Sequence, residues 1–387
     1  MRVVFVTNIV PDYRLRVFRQ LHAELGADLR IFVSQPLRHS CMAAQRELPL
    51  VHVPALHLTF ATHHRERRTV QREPLALPWL LPWQLLRFAP EAIVAGDFGV
   101  RTLLCWLAAR VRGARLLIWS EDIAASAVGR SRLQKRLRRW LCARADGFLA
   151  WGLPAADYLR SLGASDASIL VCDQAVDNDW WMAHATAVKR ERARQALGLD
   201  GTVFLLVGRM LALKGFEQFL RAWAKVPAGI RTPVLVLLVG DGPERASLKA
   251  LSEALALTRV RFEGSKSPEE LAAYYAAADV FVLPSLQEVW GLVVNEALCF
   301  GLPVLASRYA GAAQQLIDGR GGELCDPLDI EAFARRLCRW AAQPPARDLE
   351  RQQSIVGELR HDNTVRAILQ ALGSSRSAPL ASSALGS

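Results

Sequence analysis

The sequence predicts an α/β protein of two tandem doubly wound domains, each a parallel sheet covered by helices on both faces, with a cleft between them. Three observations carry this. Short apolar runs alternate with amphipathic stretches across the first 172 residues, and a second alternating series begins at Val203. Runs such as Val234-Leu235-Val236-Leu237-Leu238-Val239 are apolar at every position, as strands buried on both faces are. At 387 residues the chain is also longer than one core usually holds.

In order, strands are expected at 2–8, 27–33, 48–53, 93–97, 115–119, 147–151 and 168–172, with helices at 14–25, 99–112 and 155–162. The first helix carries Leu15, Phe18, Leu21, His22 and Leu25 on one side. Around Asp173–Asp179 the pattern turns polar, which places a boundary near Asp177. After a helix at 187–197, strands follow at 203–207, 234–239, 260–262, 280–283 and 303–306. Their helices are expected at 216–225, 243–256, 268–278, 292–300 and 312–316, with terminal helices at 330–342 and 354–372. The division is therefore 1–176, 177–345, terminal helices in 346–372 that pack back on the first domain, and a Ser/Ala-rich disordered tail at 373–387.

Hydrophobic content of 51% and charged content of 22% are ordinary for a soluble globular protein. The formal charge of +11 is uneven: residues 1–180 carry 24 Lys and Arg against 16 Asp and Glu, the remainder 24 against 21. A basic first half fits phosphates, nucleic acid or an anionic membrane surface, although the excess of Arg over Lys also fits coding bias. The seven cysteines are scattered, odd in number and without Cys-x-x-C spacing, which fits buried thiols in a reducing compartment and not a disulfide frame or zinc site. The first eight residues turn polar too soon for a signal peptide, and no apolar run reaches a spanning length. These features predict a cytoplasmic protein, peripheral at the inner face of the plasma membrane where it meets one.

The chemistry centres on Ser285-Leu286-Gln287-Glu288-Val289-Trp290-Gly291-Leu292-Val293-Val294-Asn295-Glu296-Ala297. A buried strand stops at Pro284, a small-residue turn follows, and a helix starts near Leu292. That arrangement aims free backbone N–H groups at an anion. Glu288 and Glu296 stand at either end, which suits a ligand with both hydroxyls and phosphates. Further glycine-marked loops follow earlier strands: Gly208-Arg209, Gly240-Asp241-Gly242-Pro243 and Gly264-Ser265. Arg209 and Lys214, just after a strand, could neutralise a diphosphate leaving group or could be ordinary surface cations.

The ordered set Gly208-Arg209-x4-Lys214-Gly215, Gly240-Asp241-Gly242-Pro243, Phe262-x-Gly264 and Glu288-x7-Glu296 resembles the donor half of family 4 (group 1) glycosyltransferases. The segment 288–298 is especially similar to that family's signature, and Gly301-Leu302-Pro303-Val304 continues it. The resemblance covers about residues 170–330, and the first domain in architecture only. It implies a GT-B fold of two Rossmann-like domains, a nucleotide-diphosphate sugar bound mainly by the second, and retention of anomeric configuration. Arg209 and Lys214 would hold the donor phosphates, with Gly208, Gly240 and Gly242 in the surrounding loops. Glu288 would bond the sugar hydroxyls, and Trp290, Gly291, Leu292 and Val293 would line the turn with backbone N–H groups. Glu296 would bind the ribose, and Gly264 and Ser265 would lie near the base. The resemblance implies no metal and no cofactor; Asp177-Asn178-Asp179 has a metal-motif spacing but falls at the family's interdomain linker.

In the first domain the family's glycine loop is replaced by Asn8-Ile9-Val10-Pro11-Asp12-Tyr13-Arg14, so Arg14 becomes an acceptor-side candidate. Where many relatives carry a His, this chain has Trp119-Ser120-Glu121-Asp122. Glu121 is the candidate acceptor-side base and Asp122 its competitor, unless either is an N-cap. Asp97 is a further cleft candidate.

Residues 130–140, from Arg130 to Trp140, form a basic helix with an apolar stripe of Leu133, Leu137, Trp140 and Leu141; it suits anionic lipid or burial of the stripe against the sheet. Residues 74–88 are the most apolar irregular stretch. Nucleic acid is not expected, because no strand interleaves aromatic and basic residues. The function implied is transfer of a sugar to a glycan or lipid-linked acceptor. The alternatives are a non-catalytic nucleotide-sugar sensor or scaffold, and a same-fold epimerase or phosphorylase.

Overall fold

The computed structural model describes residues 1–35, 47–64 and 69–373; Cys41 and the stretch 374–387 expected as a tail lie outside them. The chain divides into two units. Unit 1 is Met1–Gln174 together with the terminal segment from His361, and unit 2 is Ala175–Arg360.

Unit 1 is built on β1 (Val3–Thr7), β2 (Leu29–Val33), β3 (Leu50–His52), β4 (Leu56–His64), β5 (Thr69–Leu77), β6 (Ala92–Gly96), β7 (Arg115–Ser120), β8 (Gly147–Trp151) and β9 (Ile169–Cys172). Seven of these form one parallel sheet in the order β3-β2-β1-β6-β7-β8-β9, while β4 and β5 pair antiparallel outside it. Strand side chains alternate between faces, so Val3 and Phe5 point one way and Val4 and Val6 the other. The first face packs on helices Asp12–Leu25 and His361–Gly373, through Phe18, Leu21, Ile368 and Leu372. The second packs on Leu81–Phe88, Val100–Arg112, Arg132–Cys142 and Leu153–Ser161. Residues 74–88, expected as irregular, instead complete β5 and then form the helix Leu81–Phe88, which Pro82 suits as a first-turn residue.

Unit 2 contains β10 (Thr202–Val207), β11 (Val234–Val239), β12 (Val260–Gly264), β13 (Val280–Leu283), β14 (Val304–Ser307) and β15 (Gly322–Cys325). They are parallel in the order β12-β11-β10-β13-β14-β15. The polar stretch after Asp177 is helical (Asn178–Ala187), capped by the Asp177 side chain on the Trp180 N–H at 3.3 Å. The terminal helices separate: Leu349–Gly357 belongs to unit 2 and His361–Gly373 to unit 1.

Both sheets have the doubly wound order, in which the chain lays strands outward on one side and then returns to extend the other. The reversal falls between β1 and β6 in unit 1 and between β10 and β13 in unit 2. Loops leaving the carboxyl ends of such neighbours diverge and leave a crevice, the usual ligand position in these sheets. Five of the six described cysteines are buried and none forms a disulfide; burial pushes the Cys105 thiol up to about 12.

Candidate functional site

At the reversal in unit 2, the loop after β10 meets the loop after β13. Gly215 has φ +71°, and a Cβ there would stand 1.8 Å from the Pro284 carbonyl oxygen, so only glycine permits the approach. The Leu286 N–H donates to the Leu213 carbonyl at 2.8 Å, joining the two loops by backbone. Lys214 and Glu288 consequently form an ion pair, with both side chains partly buried. Ser285 Oγ donates to the same Glu288 oxygen at 3.4 Å. The Glu288 backbone is held by Tyr309 and Gly311, its N–H donating to one and its carbonyl accepting from the other, both at 3.3 Å. The carboxylate is therefore fixed from two sides before any ligand arrives.

Gly291 follows with φ +100° and precedes the helix Leu292–Cys299. The N–H groups of Leu292 and Val293 open that helix and have no intrahelical acceptor. Trp290 serves the core instead of presenting its ring to a ligand: it is buried and its Nε1 donates to Asn295 Oδ1 at 2.9 Å. Glu296, one turn into the helix, accepts from Tyr275 Oη at 2.7 Å. Burial pushes its carboxyl up to about 7, with the Tyr275 hydrogen bond acting in the opposite direction. Protonated Glu296 thus favours the folded chain. Its contribution to stability is full below the ordinary carboxylate value of 4.5 and is lost as pH rises through about 7.

The neighbouring loops are knitted together by backbone. The Gly208 N–H donates to Val239, the Met210 N–H to Asp241, and the Gly240 N–H to Gly264, at 2.8 to 3.0 Å. A Cβ on Gly240 would lie 2.0 Å from the Gly208 carbonyl oxygen, and one on Gly242 2.5 Å from that of Met210. Arg209 and Ser265 are exposed, and among the described residues the Arg209 guanidinium has no partner. One cation of the expected pair is thus engaged with Glu288 and the other is free.

In unit 1 the acidic candidates are all partnered. Arg14 donates to Glu121, and its guanidinium lies 4.8 Å from the Trp119 ring centroid and 5.5 Å from that of Trp151. Arg14 is enclosed, and desolvation lowers its pKa. Asp122 accepts from Arg130 and Arg138, each at 2.6 Å. Burial alone would raise its carboxyl, but Arg138 and Arg130 outweigh burial and hold it below the usual value. An acid held ionised between two arginines organises its loop and is a poor proton acceptor. Asp97 has φ +68° and pairs with Arg101 at 2.5 Å.

Arg101 is not evident from the sequence, yet it is buried at the reversal of unit 1 and also bonds Asn8 and Ser34. Its only signal is an arginine in the first turn of a helix that follows a strand. Tyr275 is likewise not evident, since its role arises only from contact with Glu296, and Ser285, though it opens the 285–297 stretch, gains its role only from contact with Glu288.

Residues 188–356 match the model of the family Glycosyl transferases group 1. That segment, under half of the chain, is similar to group 1 glycosyltransferases. The group 1 match contains every loop of the unit 2 site. A "D-inositol 3-phosphate glycosyltransferase" of Actinosynnema mirum is 34% identical over 250 residues, 60% of this chain and 58% of that protein. A "Lipopolysaccharide core biosynthesis glycosyltransferase LpsE" of Rhizobium meliloti is 34% identical over 188 residues, 48% of this chain and 53% of that protein. The chain thus spans little more than half the length of these curated relatives. Among solved structures, Anabaena Alr3699/HepE with UDP and glucose superposes at TM-score 0.73 with 18% identity, over 97% of this chain and all of that one. The "lipopolysaccharide outer core galactosyltransferase WaaB" superposes at 0.70 with 16% identity, over 96% and 99%. The fold is GT-B, as two doubly wound sheets lead one to expect.

Proposed function

We propose that the chain is a retaining glycosyltransferase that moves a sugar from a nucleotide-diphosphate sugar to a glycan or lipid-linked acceptor without a metal ion. The observation that carries this reading is the Lys214–Glu288 pair, set at the sheet reversal beside the opening N–H groups of the helix Leu292–Cys299. HepE, solved with UDP and glucose, and relatives named for sugar transfer to inositol phosphate and to lipopolysaccharide core support it.

In this mechanism the leaving diphosphate is stabilised by Arg209 and Lys214, and by the N–H groups of Gly291, Leu292 and Val293. That lowers the barrier directly, because the bond to phosphate breaks as an oxocarbenium-like sugar forms. Glu288 accepts from the sugar hydroxyls and fixes their orientation; it is a positioning group and not a nucleophile. Glu296 accepts from the ribose, and the loop at Gly264 and Ser265 borders the base. Arg14 orients Glu121 on the acceptor side, and attack from the leaving-group face retains configuration. The position of the enzyme is cytoplasmic, at the inner face of the membrane that presents the acceptor.

Incubation with labelled uridine, guanosine and adenosine diphosphate sugars and a membrane-extract acceptor should release nucleoside diphosphate and label the acceptor, with or without EDTA. Tight binding of one donor with no turnover across the panel would instead support a scaffold, and a changed free nucleotide sugar an epimerase.

Glu296 gives a pH signature. The ribose diol needs an ionised acceptor, and the carboxyl titrates at about 7. Affinity for the nucleoside diphosphate should therefore rise from pH 6 to pH 8, by up to roughly tenfold per unit on the acid side. The thermal stability of the ligand-free protein should fall over the same range. Titration calorimetry on the wild type and Glu296→Gln checks this, since the Gln variant should show a flat affinity profile.

A further inference from the structure

Among the described residues no helix is long and apolar enough to cross a membrane. One face of unit 1 has the composition for contact with a membrane surface. The helices Leu81–Phe88, Val100–Arg112 and Arg132–Cys142 form a continuous layer on one side of the sheet. Leu81, Leu85, Cys105 and Ala108 share one core beneath the first two. Trp106 and Trp140 join the second to the third, with ring centroids 4.7 Å apart.

The outward side of this layer is unusual in two independent respects. It leaves large apolar groups in solvent: Trp79 at 67%, Trp83 at 56%, Val111 at 73% and Leu133 at 77% exposure. The three helices also contain nine Lys and Arg and no Asp or Glu. Two of the nine, Arg101 and Arg138, turn inward to Asp97 and Asp122. The other seven, Arg87, Arg110, Arg112, Arg132, Lys135, Arg136 and Arg139, are exposed, and among the described residues none is in an ion pair. The helices on the opposite face of the same sheet mix Asp12, Glu24 and Asp362 with their arginines, and Leu153–Ser161, the fourth helix on the near face, pairs Asp157 with Arg160, so the acid-free composition belongs to the three-helix layer.

The apolar stripe of Arg132–Cys142 is largely spent inside: Leu141 is buried and Leu137 and Trp140 pack against the core, leaving Leu133 outward. The contact is therefore carried by the whole layer, not by that helix alone. We infer that this three-helix layer docks on a bilayer containing anionic lipid, with Trp79, Trp83, Val111 and Leu133 entering the headgroup region and the seven cations facing lipid phosphates. Indoles favour that interface, and unpaired cations near an anionic surface each add to the attraction.

The test is flotation of the 387-residue chain with vesicles of phosphatidylcholine alone or mixed with phosphatidylglycerol, at low and high salt. The expected result is flotation only with phosphatidylglycerol, weakened by salt. The variants Arg132→Glu/Lys135→Glu/Arg136→Glu and Trp79→Ala/Trp83→Ala should each lower partitioning roughly tenfold or more with unchanged thermal melting, since every altered side chain is exposed. Equal flotation on neutral vesicles, or unchanged flotation of the charge-reversed variant, overturns the inference. So does displacement from vesicles by polynucleotide at stoichiometric amounts, or a dimer in light scattering that the same variants dissolve. Flotation requires neither donor nor acceptor, so its failure is distinguishable from a failure of sugar transfer.

Discussion

Lys214→Ala should lower turnover by about 10²–10³-fold, with the fold intact, in an assay of nucleoside diphosphate release. Two effects combine. The variant removes the cation proposed to stabilise the departing diphosphate, and among the described residues it leaves the partly buried Glu288 carboxylate with only the weaker Ser285 hydrogen bond. The second effect can be separated from the first. If Lys214 acts only by holding Glu288, then Lys214→Ala in a Glu288→Gln background should cost almost nothing further. If it acts on the phosphates, most of the loss should persist there. Wild-type turnover in the single variant would remove Lys214 from the mechanism.

Gly215→Ala should have the larger effect on the protein itself. The methyl group would meet a backbone oxygen at 1.8 Å, which cannot rotate away as a side-chain tip could. The φ of +71° adds the ordinary penalty for a side chain in the left-handed region. Together these should destabilise unit 2 by on the order of 3 kcal/mol or more, measured by denaturant unfolding. The loops can relieve the clash only by separating, which also pulls Lys214 from Glu288. Soluble Gly215→Ala protein should therefore be inactive even where it is folded. A variant with near-normal stability and turnover would show that the two loops are not held this close.

The central strands were legible because they are apolar on both faces, as Val234–Val239 is, whereas β15, Gly-Glu-Leu-Cys at the sheet edge, has no such run and was not expected. The glycine loops were legible for the same local reason, since Gly-Asp-Gly-Pro and a strand ending at Pro284 need no knowledge of distant residues. The pairings were not. Lys214 and Glu288 are 74 positions apart, and Arg14 and Glu121 are 107 apart. Which side chains meet depends on strand order, and strand order is not written in any window of sequence. Sequence also cannot distinguish a carboxylate held for chemistry from one held by arginines, which is why Asp122 stands as a competitor to Glu121. In the structure Asp122 takes two cations and Glu121 one. The β4–β5 hairpin is silent in sequence because no two-residue glycine turn joins its strands.

The helix His361–Gly373 has a consequence for how the protein is made. It supplies Val365, Ile368, Ala371 and Leu372 to the core that β1 and Phe18 begin. On the ribosome, unit 1 emerges first but lacks this covering, so Phe5, Phe18 and Leu170 stay incompletely sheltered while all of unit 2 is translated. Unit 2 is continuous in the chain and can close its core as it emerges. The order of maturation is then the reverse of the order of synthesis. The half whose outer layer is most basic and apolar is also the half that waits longest, and it is there that a nascent chain would most need a chaperone.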